Sequence, residues 1–287
     1  MPELPDLVHI ESVLARTVCG LRIAEVRMGD PVVLRLMVPG PLPALLMNKS
    51  ITAVKRIGQF LRFSLDSDLV LVVNAMLTGR YALVSGDKRQ AHKNLGKNLI
   101  LVLRFDSGLE LHYADETRMG KIYVAETRQV AEIPGLRDLG VELLSPEFTL
   151  QRFRALAAGR RDQVRQFLLD KTALASIGNA YADEILFVAR LHPKTFCNKL
   201  RAEDVERLFT AIRNTLAWAI REIETRGEPI ENKVRDFLKV RGRAGQPCPT
   251  CGTVIRKVRV GRDDACFCPQ CQPATRKLFV DFSKLPQ

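Results

Sequence analysis

Between residues 5 and 18 the apolar side chains Leu7, Ile10, Val13, Leu14 and Val18 recur at three- and four-residue steps, the spacing of one helix face. Pro5 in the first turn and Gly20 just past the last apolar position predict where this helix starts and stops. The pattern then changes. LRIAEVRM from Leu21, FLRFSL from Phe60, LVLVVNAM from Leu69, RYALV from Arg80, NLILVLRF from Asn98 and LELHY from Leu109 are short segments rich in Val, Ile, Leu and aromatics. Turn sequences such as Ser85-Gly86-Asp87 and Asp106-Ser107-Gly108 separate them. Strands at this spacing predict an antiparallel sandwich or barrel.

At LGVELLSP (139–146) the strand pattern ends, and the stretch reads as a linker. Beyond it the period is helical: TLQRFRALAAG, RDQVRQFLLD, NAYADEILFVARL and a long amphipathic stretch from Ala202 to about Thr225. The polar RGEPIENKV leads on to RGRAGQP and a cysteine-rich end. There is no internal repeat and no low-complexity segment. Three segments are expected: 1–138 rich in strands, 139–240 helical, and 241–287 built around cysteines.

Composition narrows the class. Lys and Arg total 44 against 32 Asp and Glu, a formal charge of +12. A surface this basic favours polyanions such as nucleic acid, an anionic membrane face or acidic protein, although charge alone does not require one. No apolar run reaches the ~18–20 residues of a membrane span, and MPELPDLVHIES carries acids where a signal peptide would be basic. A cytoplasmic protein is the expectation.

Five of the seven cysteines lie in the last 40 residues. Cys248-Pro-Thr-Cys251 is followed after sixteen residues by Cys268-Pro-Gln-Cys271, two knuckles that each aim two thiolates at one ion. One structural Zn2+ is predicted, because four sulfur ligands close the shell and leave no position for a reactive water. Cys266 belongs to neither knuckle. Between the knuckles VIRKVRV alternates apolar and basic residues, as a two-stranded ribbon would, and Arg262 follows Gly261 at its tip. A metal-pinned hairpin presenting an arginine suits a DNA groove; a solvated basic face is the other reading.

Two further features carry chemistry only in combination. In KTALASIGNAYADEILF a loop of small residues reaches Gly178-Asn179, where a new helix offers backbone N–H groups to a phosphate; a helical hairpin buried in a core would read the same way. Pro2 follows the initiator methionine and is small enough for that methionine to be removed. The freed secondary amine has a pKa below that of lysine, so it can attack a sugar C1′, and the neighbouring Glu3 can shuttle protons; a merely exposed N-terminus is the other reading.

Together these features resemble the formamidopyrimidine-DNA glycosylase and endonuclease VIII family of base-excision repair enzymes. The resemblance spans PELP, the strand-rich half, the segment KTALASIGNAYADEILF and the cysteine knuckles. It implies a multidomain α+β fold: an N-terminal antiparallel β-sandwich with a flanking helix, a helix–two-turn–helix domain and a C-terminal zinc-ribbon finger. It also implies that Pro2 is the nucleophile, Glu3 the general acid/base, and Asn179 and Arg262 phosphate contacts. DETRMG resembles the family loop that fills the duplex opposite the extruded base. Met119 would match its aromatic wedge, and Arg118 is the candidate for its inserted arginine. Leu77 occupies the place of the family's void-filling methionine, with Met76 beside it. The implied partner is damaged double-stranded DNA, bound by a monomer near the nucleoid.

The chain departs from the family at positions that bear on substrate. Thr117 stands where the inserted arginine is usual, and Gln59 where a lysine is usual. Asn74 replaces a histidine, and Asp6 a glutamate. Arg262 lies one residue farther from Cys268 than the family spacing. The stretch from Thr225 to Lys239 is short where readers of 8-oxoguanine carry a covering loop, which points to a broader or different lesion spectrum: oxidised pyrimidines, formamidopyrimidines or a bulkier adduct. The expected activity is a bifunctional glycosylase and AP lyase. Its rivals are an inert lesion-binding protein on the same scaffold and a zinc-ribbon regulator of DNA or RNA.

Overall fold

A computed structural model describes residues 2–85 and 98–274. Met1, the Gly86-Asp87 part of one predicted turn, and the end of the cysteine-rich segment (275–287) lie outside the described residues. The chain divides into two compact units, Met1–Leu139 with Ala219–Val234, and Gly140–Trp218 with Arg235–Gln287.

The first unit opens with α1 (Leu4–Val18), which buries the predicted stripe of Leu7, Ile10, Leu14 and Val18. The strands follow: β1 (Ile23–Met28), β2 (Leu34–Leu36) and, after the short α2 (Leu42–Leu46), β3 (Ile51–Ile57) and β4 (Phe60–Leu65). The set is completed by β5 (Leu69–Asn74), β6 (Arg80–Val84), β7 (Leu99–Phe105), β8 (Glu110–Ala114) and β9 (Lys121–Glu126). Two sheets result, in the orders β1-β7-β8-β6 and β2-β9-β5-β4-β3. Pairing is antiparallel throughout, except that the three-residue edge strand β2 runs parallel to β9. Ile23, Phe63, Leu71, Leu101, Leu111 and Ile122 share one core with α1. This is the predicted sandwich with its flanking helix.

All six predicted strands are present. The sequence pattern did not mark β3, whose ITAVKRI fully buries only Ile51 and Val54, so its alternation is broken by polar residues. Nor did it mark β9, a short apolar run directly after a polar loop.

In the second unit α3 (Leu150–Ala157), α4 (Val164–Leu169) and α5 (Asn179–Val188) precede α6 (Ala202–Arg226), whose last turns belong to the first unit. The loop between α4 and α5 makes the helix–two-turn–helix. The stretch read as a linker is packed instead. Gly140 N donates to Lys171 O at 2.8 Å, Val141 bridges to Leu174, and Leu143 is buried. A Cβ at Gly140 would overlap the Ala173 backbone, so only glycine allows this approach. The cysteine-rich segment forms the hairpin of β10 (Arg256–Val260) and β11 (Asp263–Phe267). Its core joins Cys248, Ile255, Cys266 and Cys268 to Phe187 of α5 and to Val240.

Candidate active site and nucleic-acid interface

In the first unit, Pro2 and Glu3 lie at the entrance to α1, where Pro2 is buried and Glu3 is 7% exposed. Glu3 is the N-cap residue and forms a capping box with Asp6, whose Oδ2 accepts the Glu3 N–H at 2.7 Å. The aspartate at position 6 thus fixes the Pro2–Glu3 backbone. His9, one turn on, lies 3.0 Å through Nε2 from Glu228 O, and Ile230 enters the sandwich core. Glu228 and Ile230 are therefore tied down within the first unit.

Two loops stand side by side at one end of the sandwich. Residues 75–79 join β5 to β6 and residues 115–120 join β8 to β9; the pairs Asn74↔Lys121 and Arg80↔Ala114 hold their ends together. The tips are apolar and exposed, Leu77 by 52% and Met119 by 46%. Met76 and Arg118 have φ of +45° and +53°, strained values for residues other than glycine. Asn74, buried, accepts the Met76 N–H at 3.1 Å, so this residue shapes the turn. Arg118 is ion-paired with Asp30 at 2.5 Å. That half-exposed pair is worth roughly 0–1 kcal/mol, so a competing phosphate or base can displace it. Thr117 faces Thr78, with their hydroxyl oxygens 2.8 Å apart. Gln59 lies in the two-residue turn between β3 and β4, and the neighbouring Lys55 is exposed on β3.

The second unit carries the other candidates. Asn179 is the first residue of α5, and its Oδ1 accepts from Arg165 Nη2 at 2.9 Å, which leaves Nδ2 as its donor. Arg165 and Asp183 form a fully buried ion pair at 2.8 Å. Asp183 also accepts from the Cys266 N–H and from Arg241 Nη1, each at 2.9 Å. Arg241 in turn donates to Asp264 O at 2.9 Å. One buried carboxylate therefore fastens the hairpin to α5 and, through Arg165, orients Asn179. Beside it Glu184 accepts three backbone N–H groups, of Lys239, Val240 and Arg241, at 2.9 Å each. Burial raises its carboxyl pKa on balance, against the lowering effect of these three donors. The sequence hints at this group, since Arg165, Asp183 and Glu184 interrupt otherwise apolar helix faces.

Arg262 is exposed in the two-residue turn after Gly261, whose φ of +62° suits a hairpin turn with glycine first. The four sulfurs of Cys248, Cys251, Cys268 and Cys271 lie within 4.8 Å of one another. Pair distances of 3.5–3.9 Å match the separation of about 3.8 Å set by tetrahedral Zn–S bonds of roughly 2.3 Å. Backbone N–H groups of Thr250 and Cys271 point at knuckle sulfurs at 3.4 Å, as thiolate ligands require. The residues fit one structural zinc, and Cys266 is not among its ligands.

Three family models cover most of the chain: the formamidopyrimidine-DNA glycosylase N-terminal domain over 1–122, its H2TH domain over 139–228, and the zinc finger found in FPG and IleRS over 245–274. The chain belongs to the formamidopyrimidine-DNA glycosylase family. The formamidopyrimidine-DNA glycosylase of Symbiobacterium thermophilum is 37% identical over 95% of this chain and 90% of its own. That of Moorella thermoacetica is 36% identical over 90% and 95%. Among solved structures, the complex of Lactococcus lactis Fpg with DNA containing an abasic site covers 95% of this chain and 100% of its own, with TM-score 0.84 and 27% identity. A second, of the wild-type L. lactis protein with DNA containing an oxidised pyrimidine, matches with TM-score 0.84 and 28% identity over the same shares. Among the described residues no helix is long and apolar enough to cross a membrane.

Proposed function

We propose that this glycosylase-family protein excises damaged bases from double-stranded DNA and then cleaves the strand as an AP lyase, acting as a monomer in the cytoplasm, on the nucleoid. The observation that carries the reading is the Pro2–Glu3 pair held by Asp6 at the start of α1, in a chain that matches its relatives nearly end to end. The inert-binder reading is not favoured, because those relatives carry an enzyme's name along their whole length.

With Met1 removed, the Pro2 nitrogen attacks C1′. The N–C1′ bond forms, the glycosidic bond breaks, and the base leaves with a proton supplied by Glu3. Opening of the sugar ring gives an iminium, which acidifies the C2′ proton; its loss expels the 3′ phosphate, and a second elimination can follow. The four cysteines would hold the zinc with no open position, so it would serve structure and not these steps. Leu77, Met119 and Arg118 fill the space left in the duplex, in the manner of apolar wedges. Asn179 and Arg262 hold backbone phosphates. We retain 1–138, 139–240 and 241–287 as the functional division: chemistry, backbone grip and finger.

Glu3→Gln keeps the amine and removes the proton donor. Base excision is expected to fall by about 10²–10⁴-fold, and cleavage of a preformed abasic site by much less, because that site has no departing base to protonate. Single-turnover rates on the two substrates check this, and equal defects would remove Glu3 from the first step.

Salt titrations separate the two phosphate contacts. Arg262→Ala should reduce the slope of log K against log salt by about one unit. Asn179→Ala weakens binding with little change of slope, because it removes a neutral donor. A slope for Arg262→Ala equal to that of the wild type rules out its phosphate contact.

The activity itself is tested by strand nicking on a panel of oligonucleotides, each with one lesion. Glu228 and Ile230 anchor the start of the short 226–239 stretch within the first unit, so it supplies little to cover a flipped base. Ring-opened purines or oxidised pyrimidines are expected to be released faster than 8-oxoguanine; a clear preference for 8-oxoguanine contradicts this.

A further inference from the structure

Within the first unit, side chains join the two exposed loops. Asp115, almost fully buried, accepts from the Thr78 hydroxyl across the gap. It also accepts from Thr117 N and Thr117 Oγ1 at 3.3 Å each and from Gly120 N at 2.7 Å. Thr78 Oγ1 in turn accepts the Thr117 N–H at 3.0 Å. Beneath the loops lies the Tyr113 hydroxyl, buried and without a protein partner among the described residues. A Cβ at Gly120 would overlap that hydroxyl, and one at Gly79 would come within 2.5 Å of it. The loops are thus cross-linked through Asp115 and seated on one phenol, and glycine is required on both sides.

The cross-link answers a physical problem. Each loop presents an apolar tip to water next to a residue in left-handed backbone geometry. Such geometry persists only where surrounding bonds over-determine it. Two tips moving separately would each lose freedom on entering a duplex, a cost that prior ordering removes. We propose that Asp115 is a positioning residue that locks the 75–79 and 115–120 loops into one rigid probe, so that Leu77 and Met119 enter the duplex together. Thr117 serves the lock from the position where an inserted arginine is usual. The inference rests on the reading of the protein as an enzyme acting on damaged DNA.

The test uses a duplex with a tetrahydrofuran abasic-site analogue and 2-aminopurine opposite it, whose fluorescence rises when the base is unstacked. Saturating wild-type protein brightens the probe. Thr78→Val, which keeps the shape and removes the hydroxyl link, and Asp115→Ala lose most of that rise at saturation. Thr78→Ser, which restores the hydroxyl, regains it. All are measured below their own melting transitions; if Asp115→Ala does not fold, the Val/Ser pair carries the comparison. Full brightening by Thr78→Val overturns the proposal, and if that variant melts lower while brightening fully, the link is structural only. A wild type that is trapped by borohydride on abasic-site DNA while Thr78→Val brightens normally overturns the lock alone. A wild type that neither traps nor brightens overturns the enzymatic reading, and the proposal with it.

Discussion

One residue added ahead of Pro2 abolishes the borohydride-trapped adduct with abasic-site DNA, while binding to that DNA persists. The reason is electronic. An amide nitrogen shares its lone pair with the carbonyl and cannot attack C1′, whereas a terminal amine, with a pKa of roughly 8, is partly unprotonated near neutrality. Lysine side chains, near pKa ~10.4, are poorer candidates at the same pH. Binding persists because the proposed phosphate contacts, Asn179 and Arg262, belong to a different compact unit. Pro2→Gly gives the graded control: once Met1 is removed it keeps a terminal amine, primary and more flexible, so activity falls without vanishing.

Chelating the zinc unfolds the segment around Cys248–Gln272 and leaves the strands of the sandwich protected. Four thiolates around one ion supply most of the order of so short a hairpin, and in comparable fingers the metal contributes ~10–16 kcal/mol at neutral pH. The apolar remainder is a short hairpin's: Ile255 and Cys266 pack with Phe187 of α5 and Val240. The Asp183 bond to Cys266 N then loses its partner, so the effect spreads to α5 and weakens DNA binding. Hydrogen exchange with and without chelator reads this out. Protection of 256–267 that survives metal removal, or zinc-free protein as purified, contradicts it.

Elements with strong local patterns were legible from sequence. The α1 stripe, the helices at 150–157, 164–169, 179–188 and 202–226, and the two cysteine knuckles each carry their own periodicity or spacing. What escaped depends on distant partners. Strand β3 buries only Ile51 and Val54 among polar residues, and its pairing with β4 decides it. The 139–146 stretch has linker composition, but its backbone is engaged by residues 171–175. The buried group around Asp183 joins residues 18, 58 and 83 positions apart, so no window of the chain contains it. In the candidate site the residue types were readable and their supports were not. Asp6 as the partner of the Glu3 N–H, Arg165 behind Asn179 and Asp115 between the loops emerge only from three-dimensional placement.

In the proposed mechanism the Pro2 nitrogen bonds to the deoxyribose of the damaged nucleotide. Borohydride reduction during turnover on abasic-site DNA, followed by proteolysis and mass spectrometry of the cross-linked peptide, locates that bond directly. The DNA remnant is expected on the amino-terminal peptide that begins at Pro2, with Met1 absent. A remnant on the ε-amine of any lysine, or reduction that yields no cross-link, would contradict it.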